Sequence, residues 1–408
     1  MEHFNKSGIN ILLEHTPLTP RMCVSFFFKV NKKEKYYGIN SLLARLLLQG
    51  TTKYSASQLA LEFENECIDI SSKAKQDYIK LSLVFLNEDF KKAMDLVLNL
   101  LTDSTFESWQ KEIFKIKGEV ISELDNPRTK LTDLFVKEMF GKHHYASTLT
   151  NIISDIDKIK FEDIKEAYSE MMKNACAIVL VGDYQNQDEV LNYFADKFSF
   201  MKSNNLKNEI EDLFKLDIKE DKIIQIEKED AAQAQIIKGW LIDTFTSLDC
   251  PKISVLNNIL GASGLSSRLF VNLRDKQGLA YTVRSQYETM LHSGVFSMYI
   301  GTDPKNIQKS LDGFKNEIKK LADTPVSDEE LEGAKENLSG RIKYLTQNNS
   351  QIAALKGFDF VMGLGLDYES KYLDDVYKVS KEDIMIIAKK LLETPTLNVI
   401  IAPKKYHL

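Results

Sequence analysis

The sequence predicts an α+β protein made of two duplicated halves, each an antiparallel β-sheet covered by helices. The chain has 408 residues, of which 43% are hydrophobic and 27% are charged, which is ordinary for a soluble globular protein of two or three domains. Strand-like stretches mix with amphipathic helices without the strict alternation of a doubly wound parallel fold. The same order of elements also occurs twice along the chain, and this repetition predicts a duplication.

Each half begins with a strand-like stretch, rich in β-branched or aromatic residues, and an apolar helix follows it. The stretches cover residues 22–30 and 235–242, and the helices cover residues 41–48 and 253–260. Gly50 and Gly261 follow these helices, and a glycine just after an apolar periodic run indicates a helix C-terminus. The two halves therefore start with matching strand–helix units.

The later elements match in the same order. An amphipathic helix is followed by a charged helix, and a closing helix leads into an apolar strand. These elements cover residues 87–98, 108–124, 161–168 and 175–181 in the first half, and residues 304–321, 327–344, 381–388 and 397–402 in the second. Ser327 and Glu330 have the spacing of a capping box at the start of the second charged helix.

A polar stretch between residues 202 and 221 separates the halves. We expect the boundary near residue 210, which gives two domains that cover residues 1–210 and 211–408.

Charge and hydropathy exclude two classes of partner. The chain has 53 Lys and Arg residues against 59 Asp and Glu residues, for a formal net charge of −6. With this balance and no basic block, we expect no binding to nucleic acid or to an anionic membrane. No apolar run approaches the roughly 18–20 residues that a membrane span needs, and residues 1–11 resemble neither a signal peptide nor a transit peptide.

The cysteines predict a reducing compartment. Cys23, Cys67, Cys176 and Cys250 lie far apart in the sequence, without a C-x-x-C pair and with mostly apolar neighbours. We interpret them as buried free thiols. Together with the absence of a recognisable targeting segment, this predicts a cytoplasmic protein.

The first helix carries the frame of a known metal motif. Residues 38–51 read GINSLLARLLLQGT, which is similar to G-x-x-H-x-x-E-H-x-x-x-x-G-T, the inverted zincin motif. In this and in its order of elements, the chain resembles the insulinase/pitrilysin family of zinc metallopeptidases. The family also includes the mitochondrial processing peptidase subunits and core proteins of a respiratory complex. The resemblance extends from about residue 11 to residue 403.

The motif has lost its chemistry in this chain. Ser41 and Arg45 occupy the positions of the two zinc-binding histidines, and Ala44 occupies the position of the general base. Positions i, i+3 and i+4 share one helix face, and a zinc site there needs imidazole nitrogens and a carboxylate. Serine is a poor zinc ligand, alanine cannot take a proton, and arginine has no lone pair to donate. We therefore expect no catalytic residue and no bound metal in this chain.

The resemblance places the third ligand of the family at Glu123, in a charged helix that ends before Asn126 and Pro127. One interpretation of Glu123 is an ordinary glutamate on a helix surface. The alternative is that Arg45 and Glu123 form an ion pair where the metal ion would otherwise lie.

The second half keeps a longer signature. Residues 266–281 read SSRLFVNLRDKQGLAY, which matches the family pattern S-S-R-L-F-x-x-L-R-x-x-x-G-L-x-Y at every specified position. In the bacterial branch of the family, the Arg and Tyr of this pattern hold the substrate backbone over the zinc of the other half or the other subunit. The resemblance therefore implies that Arg274 and Tyr281 bind substrate. A guanidinium suits peptide carbonyls, and a tyrosine hydroxyl can donate to a developing oxyanion.

Other interpretations of this region stay open. Arg274 could form a core salt bridge and Tyr281 could be a packed aromatic residue, while Ser266, Ser267 and Arg268 fit helix capping and a structural ion pair. Gly261 and Gly264 are weaker candidates for substrate binding, because their loop resembles the glycine-rich loop of the non-catalytic processing-peptidase subunit.

Two functions fit these features. In the first, the chain is the non-catalytic, substrate-binding subunit of a heterodimeric zinc metallopeptidase that acts on unfolded or extended peptides in a closed chamber. Its catalytic partner would then carry H-x-x-E-H and the zinc. The alternative is a pseudopeptidase scaffold, a structural core protein without turnover.

Overall fold

The computed structural model describes residues 1–17, 19–203, 210 and 220–406. The chain forms two compact units, and each of them is discontinuous in sequence. The first unit comprises residues 1–121, 149–210 and 344–366, and the second comprises residues 122–148, 211–343 and 367–408. Most of the polar stretch from 202 to 221 lies outside the described residues, so the boundary near residue 210 stays a prediction.

The elements follow the mixed order that the sequence predicts. The strands are β1 (Glu2–Lys6), β2 (Ile9–His15), β3 (Arg21–Lys29), β4 (Asp69–Ala74), β5 (Tyr78–Leu86), β6 (Ala175–Gly182), β7 (Lys222–Glu227), β8 (Ala234–Ile242), β9 (Ala280–Thr289), β10 (Gly294–Thr302) and β11 (Leu397–Ala402). The helices are α1 (Ile39–Leu46), α2 (Ala56–Asn65), α3 (Phe90–Asp103), α4 (Trp109–Leu124), α5 (Pro127–Phe140), α6 (Leu149–Asp155), α7 (Phe161–Lys173), α8 (Gln187–Lys197), α9 (Cys250–Asn257), α10 (Ile307–Asp323), α11 (Asp328–Tyr344), α12 (Asn349–Met362), α13 (Tyr368–Lys378) and α14 (Lys381–Glu393).

The two sheets have the same topology. Among the described residues, the first sheet has the order β1-β2-β6-β3-β5-β4 and the second has the order β7-β11-β8-β10-β9. The second sheet repeats the order of the first without an equivalent of β1. The α+β prediction is confirmed. The sheets are not purely antiparallel, because β2 pairs with β6 and β7 pairs with β11 in parallel. In each sheet the closing strand returns through helices and lies beside the first strand of the repeat in the same direction.

The inner strand β3 is apolar from residue 22 to residue 28 except at Ser25, and its position in the sheet explains this composition. Residues 22–28 are all buried, because β3 pairs with β5 and β6 and both of its faces are covered. The ring of Phe26 lies 5.1 Å from the ring of Phe198, whereas Phe27 points to the opposite face and meets α12 at Gly357. The buried core of this unit therefore extends to both sides of the sheet.

Each unit contains one helix from the opposite half of the sequence. Helix α12 packs on β3 and β6, and α5 packs on β8 and β11. Glycine permits both contacts at close range. A Cβ atom added at Gly357 of α12 would lie 2.1 Å from Cε2 of Phe27, and one added at Gly239 of β8 would lie 2.3 Å from Cζ of Phe135 on α5. In both units, a contact between a glycine and a phenylalanine ring thus lets a helix from the opposite half of the sequence pack closely on the sheet.

The cysteines are all free, but they are not all buried. Cys23 and Cys250 are buried and Cys176 is half-buried, whereas Cys67 is exposed. Cys67 has a φ of 50° in the turn after α2, and this turn holds its side chain at the surface. No helix in the described part of the chain is both long and apolar enough to cross a membrane.

The close contact between α12 and β3 predicts the effect of a single methyl group. Gly357→Ala should lower the midpoint of thermal unfolding, because the new Cβ meets the ring of Phe27 and overpacking a dense core costs about 1–3 kcal/mol. Gly333→Ala is the matched control, since Gly333 also lies inside a helix but has no atom near its Cβ position. The control should raise the midpoint, because alanine is favoured over glycine in a helix by about 0.5–1 kcal/mol. A midpoint for Gly357→Ala at or above that of the unaltered chain would contradict the contact.

Candidate functional site

The start of α1, which carries the frame of the metal motif, is held by a glycine and a carboxylate. Gly38 precedes the helix with a φ of 90°, and a Cβ atom there would lie 2.9 Å from Cγ2 of Ile152, so glycine is required at this position. The carboxylate of Glu34 accepts hydrogen bonds from the backbone N–H groups of Gly38 and Asn40, both at 3.1 Å. These bonds satisfy two donors at the helix N-terminus. The glycine and these two bonds therefore fix the N-terminus of α1.

The three replaced positions lie where their spacing predicts. Ala44 is buried in the core at 2% exposure, while Ser41 and Arg45 are half-buried on the same helix. Arg45 forms a two-pronged ion pair with Glu119 of α4. Its Nη1–H donates to Oε1 at 2.9 Å and its Nη2–H donates to Oε2. This geometry is the strong form of an arginine–carboxylate contact.

The ion-pair alternative named a partner of Arg45 that is wrong by one helical turn. Glu119 and Glu123 are four residues apart on α4 and share a face, but the guanidinium reaches the earlier of the two. Glu123 is exposed near the end of the helix, as the simpler interpretation expects. The hydrogen bond from Arg45 is the main cause that lowers the pKa of Glu119, and burial opposes it.

The described residues contain no group of three or more His, Cys, Asp or Glu side chains that could hold a metal ion. At α1 the chemistry of the residues is also unsuited to a cation, because a guanidinium occupies the position of one ligand.

In the second unit, Arg274 lies between two aromatic rings. It belongs to a π-helical segment, Phe270–Lys276. Its guanidinium carbon lies 4.4 Å from the ring centroid of Phe270 and 4.7 Å from that of Tyr281. Its Nη1–H also donates to the backbone carbonyl of Tyr281 at 2.7 Å. The sequence indicated the pair of Arg274 and Tyr281 but not Phe270, whose spacing of four residues from Arg274 on a helix was the available signal.

A β-bulge presents Tyr281 to solvent. In the pairing of β9 with β10, Thr282 lies opposite Gly301 and Ala280 lies opposite Thr302, so Tyr281 is the extra residue. Bulges re-aim side chains and are common beside functional sites. The side chain is 78% exposed, and its hydroxyl has no hydrogen-bond partner among the described residues. Tyr281 is thus not a packed core aromatic residue, and Arg274 forms no salt bridge with a described residue.

The two candidate glycines differ in their surroundings. Gly261 is buried, and a Cβ atom there would lie 2.3 Å from the backbone nitrogen of Ser285. Its missing side chain lets the π-helical segment Asn258–Ala262 approach β9. Gly261 therefore has a packing role, and its role in substrate binding stays a prediction. Gly264 is exposed with a φ of 93°, so it stays a candidate.

Ser267 and Arg268, which follow these glycines, have structural contacts. Arg268 donates from Nε and Nη2 to the two carboxylate oxygens of Glu330, both at 2.8 Å. Glu330 also completes the capping box with Ser327, and the hydrogen bond from Arg268 is the main cause that lowers its pKa. Ser267 Oγ donates to the carbonyl of Gly264 at 2.7 Å. The interpretation of Arg268 as part of an ion pair is confirmed, whereas Ser267 bonds a turn carbonyl and caps no described helix.

Comparison with known proteins identifies the family. Residues 11–152 match the family model described as insulinase (peptidase family M16), and residues 158–338 match the one described as peptidase M16 inactive domain. The chain belongs to peptidase family M16. Ser41, Ala44 and Arg45 replace the two zinc-binding histidines and the general base of the active members, and we therefore assign the chain to the inactive members of the family.

Relatives cover the chain from end to end. It is 25% identical to the non-peptidase homolog YmxG of Helicobacter pylori, over 99% of this chain and 94% of that protein. It is 22% identical to the uncharacterized zinc protease YmxG of Bacillus subtilis, over 98% of this chain and 97% of that one. A crystal structure of a peptidase M16 inactive domain from Pseudomonas fluorescens superposes with a TM-score of 0.86 at 20% identity, covering 100% of this chain and 99% of that chain. This M16 structure has the same fold.

The Arg45–Glu119 pair predicts a measurable titration shift. In Arg45→Gln, the pKa of Glu119 should rise towards its ordinary value, as followed by NMR of its side-chain carboxyl carbon. A lowered carboxyl pKa contributes stability above the unfolded pKa, and this contribution is lost as the pH falls through the folded pKa. The variant should therefore lose less than about 1 kcal/mol at neutral pH, because both side chains are partly exposed, and less still in acid. Lys117 lies on the same helix but pairs with Asp157. Lys117→Gln should therefore leave the pKa of Glu119 nearly unchanged. An unshifted Glu119 in Arg45→Gln would contradict the assignment.

Proposed function

We propose that this chain is the non-catalytic, substrate-binding subunit of a heterodimeric zinc metallopeptidase. A catalytic subunit with an H-x-x-E-H motif supplies the zinc, and the complex processes unfolded or extended peptides in a closed chamber in the cytoplasm. One observation carries the proposal: the side chain of Tyr281 is exposed, and Arg274 fixes its position.

The packing of the second unit does not require the contact between Arg274 and the exposed side chain of Tyr281. An exposed tyrosine ring gains little from burial, and its hydroxyl has no bond to a described residue. The guanidinium of Arg274 nevertheless stacks on the ring and bonds the backbone of the same residue. This restriction reduces the freedom that Tyr281 would lose when it contacts a ligand, and such preorganisation favours binding.

The two side chains are suited to a peptide backbone. Arg274 uses one N–H for the carbonyl of Tyr281, and a guanidinium has five N–H donors, so others are available to a peptide carbonyl. The hydroxyl of Tyr281 can donate to a second carbonyl or to an oxyanion that develops on it. The bound zinc would activate the attacking water, while this chain holds and orients the peptide.

The alternative, a scaffold without turnover, assigns no role to this pair. In a scaffold, the loss of the zinc ligands would be matched by side chains that pack or form salt bridges. Arg45 and Arg268 fit that pattern, since each has a bidentate carboxylate partner. Arg274 has no carboxylate partner among the described residues and contacts an exposed tyrosine, and for this reason we favour the substrate-binding function.

Peptide cleavage by the complex isolated from the native cell tests the proposal. Tyr281→Phe should lower kcat/KM by roughly a hundredfold, which is typical for the loss of one donor to an oxyanion. Arg274→Gln should lower it as well, because the peptide and Tyr281 both lose their positioning group.

Two matched variants of the same unit serve as controls. Tyr377→Phe removes a hydroxyl of a partly exposed side chain that donates a hydrogen bond to Glu336. Lys276→Ala removes an ammonium group that donates to Asn272 and lies in the same helical segment as Arg274. Both should keep the rate of the unaltered complex. If Tyr281→Phe and Arg274→Gln assemble normally and cleave peptides as fast as the controls, the scaffold function replaces the proposed one.

A further inference from the structure

Two arginines, Arg128 and Arg284, lie on the face of the second sheet that α5 covers. In the register of this sheet, Tyr299 of β10 lies opposite Arg284 of β9. The guanidinium carbon of Arg284 is 6.0 Å from the ring centroid of Tyr299. Arg128, in the first turn of α5, places its guanidinium carbon 4.9 Å from the same centroid. Two positive charges therefore lie beside one aromatic ring.

Neither guanidinium has a carboxylate partner among the described residues. Arg284 Nη2–H donates to the amide oxygen of Gln286 at 2.9 Å, and its Nε–H is buried without a hydrogen-bond partner. Arg128 contacts Tyr299 and forms no ion pair with a described residue. Glu288 lies on the same face of β9 as Arg284, but it is four residues away, about 13 Å along the strand.

This arrangement is costly without a further group. A buried donor that is left unpaired costs about 1–3 kcal/mol, and two like charges repel most strongly where solvent is partly excluded. The contacts with Tyr299 offset part of this cost, since a cation–π contact contributes about 0.5–2 kcal/mol, but they leave the Nε–H of Arg284 unpaired. An anion held by the two guanidinium groups would neutralise their charge.

The position of the pair indicates which anion. Strand β9 is an edge strand of the described sheet, and an edge can accept an extended chain. Arg284 follows Tyr281 by three residues on this strand, which is about 10 Å in an extended chain. A peptide at Tyr281 can therefore reach the arginine pair with a residue a few positions away. Arginine forks match carboxylate geometry.

We propose that Arg128 and Arg284 form a subsite for a carboxylate of the bound peptide, either the side chain of an acidic residue or the C-terminal carboxylate. This inference rests on the proposed function, because it assumes that an extended peptide binds near Tyr281. It adds a preference for acidic or C-terminal segments.

Fluorescence anisotropy with defined peptide pools and the full-length chain tests the subsite. Each pool contains twelve-residue peptides that carry a dye without a carboxylate and have mixed sequence without Asp or Glu at the variable positions. The first pool has a fixed central Glu and an amidated C-terminus, the second a central Gln and a free C-terminus, and the third a central Gln and an amidated C-terminus. The first two pools separate the two sources of the carboxylate, and the third measures binding of the peptide backbone alone.

At least one carboxylate pool should bind about tenfold more tightly than the third pool, which is the usual size of a charge-assisted pair of hydrogen bonds. Arg128→Gln and Arg284→Gln should each remove most of this difference and leave the affinity for the third pool unchanged. Arg21→Gln removes an exposed arginine from the other unit and should leave all the affinities unchanged. Thermal unfolding of each variant checks that it is folded.

The outcomes separate this inference from the proposed function. Equal affinity for all three pools would overturn the carboxylate subsite and leave peptide binding supported. A tenfold difference that survives in both arginine variants would overturn the assignment to these residues. Failure of every pool to bind the unaltered chain would overturn both proposals.

Discussion

The structure depends on a contact in which a phenylalanine ring lies directly against a glycine. It occurs between Phe27 of β3 and Gly357 of α12, and again between Phe135 of α5 and Gly239 of β8. In each unit the helix comes from the other half of the sequence, so the core is complete only when the helices are exchanged. Because dense cores tolerate little change in volume, these two glycines constrain both units. The exchange also brings Arg128 to the sheet that carries Tyr281 and Arg284.

Five arginines of this chain divide into two groups by their partners. Arg45 and Arg268 each meet a carboxylate in a two-pronged bond, and such pairs hold helices together. Arg274, Arg284 and Arg128 contact aromatic rings, and the first two also donate to neutral oxygens. All three of these lie in the second unit. In the proposed function these cations bind a peptide, which supplies both carbonyl and carboxylate oxygens.

Much of the fold could be predicted from the sequence, because its signals are local or repeated. Period-2 and period-3.6 patterns predict the elements, and their repetition predicts two sheets of equal topology. The crossing of α1 and α4 could not be predicted: Glu119 and Glu123 are equivalent in pattern, and only packing decides which of them faces Arg45. The exchange of α5 and α12 was also missed, since an amphipathic helix does not specify which sheet it covers. The approach of Arg128 to Arg284 follows from that exchange, so no sequence motif signals it.

The stoichiometry and zinc content of the complex formed in the native cell test the central claim most directly. The tagged chain would be isolated under mild conditions, its partners would be identified by mass spectrometry, and bound zinc would be counted per complex. Our account predicts an equimolar partner of the same family that carries H-x-x-E-H, with one zinc ion per pair and none left on this chain after the subunits are separated. Recovery of this chain alone, or only with copies of itself and without zinc, would contradict it.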